Sequence, residues 1–111
     1  MRLKGLFACL TGLVMGGLLT VTASTGASAA ETIKIGLIEP LSGPVAAVGT
    51  DALQNFEFSA AKINAAGGVL GGQMLEIVPL DNAMSAEKTT QQLKRAVDMG
   101  LKYVVQGIGS N

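Results

Sequence analysis

The period of apolar and polar positions switches repeatedly along the chain, and each switch marks an element. Thr32 to Glu39 is aliphatic and β-branched, with Ile33, Ile35 and Leu37 on one face and Gly36 and Ile38 on the other. That pattern predicts a strand buried on both sides. From about Val45 to Ala65 the apolar residues Val48, Ala52, Phe56, Ala60 and Ile63 recur every three or four positions, predicting a helix with that stripe inward. The run Asn64 to Gly68 ends it, and its glycines can take the positive φ of a helix carboxyl cap. Met74 to Leu80 predicts a second strand, and Pro79 within it, which has no N–H for a ladder, predicts a sheet edge. After the turn Asp81 to Met84, Ser85 is the expected amino cap of a helix running to about Met99. Lys88 stands where a capping box would need Glu or Gln. Ala86, Thr89 or Thr90, Leu93, Ala96 and Val97 form the expected inner stripe, Gly100 stops the helix, and Leu101 to Gln106 is the third strand. The order β-α-β-α-β, with helices long enough to cross over, predicts an α/β fold: the start of a doubly wound parallel sheet.

The first strand breaks at Pro40 into a short loop bounded by Gly43 and Gly49. In open α/β sheets ligands bind where a strand's carboxyl end meets a helix amino terminus, so this loop is a candidate wall of a site. Ser42 lies in it, and Ser110 holds the same place after the third strand. A hydroxyl beside free backbone N–H groups can hold a carboxylate without a cation. The same serines also suit ordinary helix caps or turns, and spacing alone leaves both readings open.

The segment before the first strand has a different character. Arg2 and Lys4 precede an uncharged run from Gly5 to Ala23, and Ala27-Ser28-Ala29 supplies the small residues of a cleavage site. Residues 1–29 are therefore expected to be a signal peptide cut after Ala29. The run is long enough for a retained anchor, but its glycines and threonines dilute it and the cleavage tripeptide follows closely. With the leader removed, 82 of the 111 residues remain, carrying 6 basic and 8 acidic side chains for a net charge of −2. Negative charge and scarce aromatics argue against a nucleic-acid partner.

Chemistry is limited in the same way. The one cysteine, Cys9, lies in the leader, and the sequence has no histidine. Histidine triads, cysteine nucleophiles and the common zinc sites are thereby excluded within this span, and no catalytic residue is expected. Asp51, Asp81, Glu87 and Asp98 lack the alternating spacing of a calcium loop, so no metal is expected. Gly107-Ile108-Gly109 follows the third strand rather than the first, and Gly67 to Gly72 joins a helix to a strand. Neither is followed by a phosphate-binding lysine, so no nucleotide or other cofactor is expected.

Taken together, Ser42-Gly43-Pro44-Val45-Ala46 with Gly49, Ile63-Asn64-Ala65-Ala66-Gly67-Gly68 with Gly71, Asp81, and Gly100 to Val105 give the chain a family likeness. From Ile33 to Asn111 it resembles the periplasmic solute-binding proteins of ABC transporters, of the leucine/isoleucine/valine-binding type. The resemblance implies two α/β lobes that close on a small ligand, the ligand favouring the closed state by touching both. Residues 30–111 would be an incomplete amino-terminal lobe of this type I periplasmic binding protein fold. The resemblance further implies a periplasmic location, membrane permease subunits as partners, and Ser110 as a holder of an amino acid's carboxylate. Val48 matches a position that is often aromatic and lines the side-chain pocket; its smaller side chain implies a roomier pocket. Met84 and Gly109 stand where some relatives have a cysteine pair, and Gln106 and Asn111 also depart from the usual residues.

The expectation is thus a non-catalytic binding component of an importer for a branched-chain amino acid or related small carboxylate, with Ser110, Val48 and Ser42 at the ligand. A ligand-sensing receptor domain of the same fold is the first alternative. An exported α/β enzyme with catalytic residues beyond Asn111 is the second.

Overall fold

A computed structural model describes residues 30–108, so the expected signal peptide at 1–29 lies outside the described residues. The elements are β1 (Ile33–Glu39), α1 (Ala46–Ala65), β2 (Leu75–Asp81), α2 (Ala86–Asp98) and β3 (Tyr103–Gln106). All three strands are parallel, in the order β2-β1-β3. Ile33 to Glu39 pairs with Leu75 to Asp81, and Ile35 to Ile38 with Tyr103 to Gln106. Pro79 lies on β2, which among the described residues borders β1 alone, so it falls on an edge strand as expected.

With β1 in the middle, the crossover through α1 runs one way and that through α2 the other. Crossovers of one handedness then place the two helices on opposite sheet faces. Ile38, Leu80 and Ala96 form a buried cluster on the α2 side, with Leu101 and Val104 packed against it. Leu37, fully buried, points to the other face, as strand alternation requires. Gly36 admits this packing: a Cβ there would lie 3.0 Å from Leu101 Cδ1 and 3.3 Å from Leu80 Cδ1.

Each expected stripe holds in part: Ala60 and Ala96 are buried and Ala52 and Thr89 half-buried as expected, while its larger apolar members are exposed. In α1 the buried positions are Gly49 and Ala60, while Val48 is 53 % exposed and Phe56 and Ile63 are also exposed. In α2 Ala96 is buried and Thr89 and Gln92 are half-buried, whereas Leu93 and Val97 are exposed. Close backbone approach decides this. A Cβ at Gly49 would overlap the carbonyl of Pro40, so only glycine lets α1 sit against the end of β1.

Polar side chains fix the ends of the helices. Asn64 imitates a strand neighbour, donating from Nδ2 to Leu75 O (2.9 Å) and accepting from Leu75 N–H at Oδ1 (2.8 Å). Ser85 caps α2 as expected, its hydroxyl accepting from Lys88 N–H at 3.3 Å.

Candidate functional site

In the order β2-β1-β3 the chain moves from β1 to one side, then crosses to the other. The carboxyl ends of β1 and β3 therefore flank a topological switch point, the position where open α/β sheets usually take a ligand. The β1 loop, Pro40 to Val45, forms one wall. Ser42, Gly43 and Pro44 in it are exposed. The amino cap of α1 is Val45, with no side-chain cap and no acidic residue in the first turn. Ser42 thus does not cap the helix, and the first turn of this 20-residue helix carries no acidic side chain of its own to meet the positive end of its dipole.

Asp81, at the end of β2, shapes that wall. Its Oδ1 accepts from Leu41 N–H at 2.9 Å and from Ala83 N–H at 2.8 Å. Hydrogen bonding from the Ser42 side chain, then from these backbone amides, holds its carboxyl below the usual carboxylate range despite partial desolvation. Beside it Asn82 is fully buried, accepting from Met84 N–H at 3.0 Å and donating to Thr89 Oγ1 at 3.1 Å. These Asx-type bonds support the left-handed φ of Ala83 (46°) and Met84 (60°).

Of the sequence-predicted residues, Ser42 and Val48 are both brought to the carboxyl end of β1, one in the loop and one in the first turn of α1, and both are exposed. Ser110 lies outside the described residues, two positions beyond Ile108 on the β3 exit. The structure adds Asp81 as an anchor of the wall. It also adds Glu39, the buried last residue of β1, whose Oε2 accepts from Ile108 N–H at 3.2 Å. Its signal in the sequence is a lone acid closing a strand that is uncharged from Ile35 to Ile38.

A cleft of about 480 Å³ lies at the opposite end of the sheet, lined by Ile33, Lys34, Leu70, Gln73, Leu101 and Tyr103 among others. It adjoins the amino ends of the strands, away from the switch point. Among the described residues no group of three or more His, Cys, Asp or Glu gathers as for a metal ion. None of the described helices is long and apolar enough to cross a membrane.

The family model described as periplasmic binding protein matches residues 32–111. The chain belongs to the periplasmic binding protein family. Its relatives within that family include the Leu/Ile/Val-binding protein of Escherichia coli K12, 37 % identical over 76 residues, or 68 % of this chain and 20 % of the relative. The leucine-, isoleucine-, valine-, threonine- and alanine-binding protein of Pseudomonas aeruginosa is 39 % identical over 83 residues, 75 % of this chain and 22 % of that one. A crystal structure titled as a putative branched-chain amino acid ABC transporter from Silicibacter pomeroyi aligns with a TM-score of 0.65 at 30 % identity, covering 69 % of this chain and 20 % of that chain. The chain spans about a fifth of the length of these relatives. The parallel β-α-β-α-β sheet is that of a type I periplasmic binding protein lobe. The relatives named are solute-binding proteins rather than enzymes.

Proposed function

We propose that this chain is the opening part of the substrate-binding component of an ABC importer, taking a branched-chain amino acid or a related small carboxylate. The observation that carries the reading is the strand order β2-β1-β3. It supports a site at one switch point, between the β1 loop bearing Ser42 and the end of β3, after which Ser110 follows in the sequence, beside the amino end of α1. Such an end favours an anion, and a carboxylate needs only hydroxyls and amides there. Ser110 is the direct contact to the carboxylate, with Ser42 and Val48 lining the wall. Relatives named for binding leucine, isoleucine and valine support this ligand class. Residues 1–29 act as an export signal, residues 30–111 as part of an amino-terminal lobe, and permease subunits receive the ligand in the periplasm.

The test is a thermal-shift screen of the full-length gene product against L-leucine, L-isoleucine, L-valine, their amides and benzoate, followed by calorimetry. A ligand at one hundred times its Kd stabilises the native state by about 2.7 kcal/mol, which a melting curve resolves. Absence of any shift across the panel, or tight binding that Ser110→Ala leaves intact, overturns the reading.

A further inference from the structure

Glu39 ends the central strand and is 1 % exposed. Among the described residues no cation pairs with it; the ion pair Lys34–Glu76 (3.8 Å) lies elsewhere along the β1–β2 pair, on the surface. The nearest titratable group in register is Asp81, whose Oδ1 is turned to Leu41 and Ala83. Burying a carboxyl group is costly, and an apolar side chain would fill the same volume without that cost. The carboxyl supplies something an apolar side chain lacks.

The main-chain ladder between β1 and β3 ends at Ile38 and Gln106. Beyond it the β3 exit is tied to β1 by a side chain: Glu39 Oε2 accepts from Ile108 N–H at 3.2 Å. Oε1 is buried with no partner among the described residues, and it occupies the place a Cβ at Gly107 would take. The carboxyl is therefore a spacer wedged under Gly107 and bonded to Ile108. It sets how far the β3 exit stands from β1 at the switch point.

We infer that Glu39 is a positioning residue for ligand binding, holding the Gly107-Ile108 turn from which the chain reaches Ser110. This rests on the proposed role of Ser110 in the site. Glu39 itself touches no ligand, because Gly107 covers it.

The experiment combines amide-resolved hydrogen exchange with calorimetry on the full-length product, the probe being the tightest binder among L-leucine, L-isoleucine, L-valine and benzoate. Glu39→Ala should speed exchange at the Ile108 amide by about tenfold, as expected for loss of one partly buried hydrogen bond to a carboxylate oxygen, and weaken binding by a similar factor. Glu39→Gln keeps an acceptor oxygen for Ile108 and should restore both. Gly107→Ala, which displaces the carboxyl without removing it, should match Glu39→Ala, and the double variant should be no worse than either single one. Unchanged Ile108 exchange in Glu39→Ala, additive losses in the double variant, or unchanged affinity where Ser110→Ala weakens it overturns the positioning role. If Ser110→Ala leaves affinity intact, the ligand assignment at Ser110 fails instead, and Ile108 exchange alone decides the role of Glu39.

Discussion

Replacing Asp81 by alanine should damage both stability and binding, through one anchor point. The carboxylate receives Leu41 N–H at 2.9 Å and Ala83 N–H at 2.8 Å, so it joins the β1 loop to the turn after β2. Hydrogen bonds to a charged group contribute about 1.5–3 kcal/mol each when buried. Two backbone donors would give roughly 3–6 kcal/mol, but Asp81 is only half-buried and water can reach the vacated amides, which about halves the figure. The expected cost of Asp81→Ala is therefore about 2 kcal/mol, read by urea unfolding of the full-length product. Asp81→Asn keeps an oxygen for Leu41 and Ala83 and should cost about 1 kcal/mol. Acid adds a second check. Asp81 is lowered in the native state from an ordinary value of 3.8, so its contribution is present above that pH and is lost as pH falls toward the native value. The acid limb of the wild-type stability curve should contain this loss, and Asp81→Asn should lack it. A change below about 0.5 kcal/mol for Asp81→Ala, the range of an ordinary surface substitution, would refute the anchoring role.

Two further perturbations probe the frame around the switch point. Gly49→Ala forces a methyl into the Pro40 carbonyl and should destabilise by about 1–3 kcal/mol while weakening binding, since α1 must withdraw from β1; calorimetry with unchanged affinity would contradict the close approach. Asn64→Ala frees both Leu75 backbone groups at a half-buried site and should cost about 1–2 kcal/mol in urea unfolding with little effect on affinity, because it acts at the far end of the sheet.

The local sequence determined the elements because their signals are local. β1 and α1 fall within a residue of their expected ranges, Ser85 caps α2, and Pro79 marks an edge. Each follows from a period, a missing N–H or a hydroxyl three residues from an amide. The family likeness was legible for the same reason, being carried by short motifs at loops and caps. The helix faces were legible only in part. Ala60 and Ala96 are buried as the period predicts, but Val48, Phe56, Leu93 and Val97 are apolar yet exposed and Gly49 is buried, because the distance between backbones selects small residues at the contact and a periodic count sees only hydrophobicity. The site divides similarly. Ser42 and Val48 are legible as loop and helix-start residues, but the bond from Leu41 N–H to Asp81 that holds the loop spans two strands. The contact of Glu39 with Ile108 joins residues 69 apart, and no pattern in the sequence measures that closeness. Only the order β2-β1-β3 brings these ends together. The sequence determined what each segment is, and the tertiary structure decided which carboxyl groups hold its loops in place.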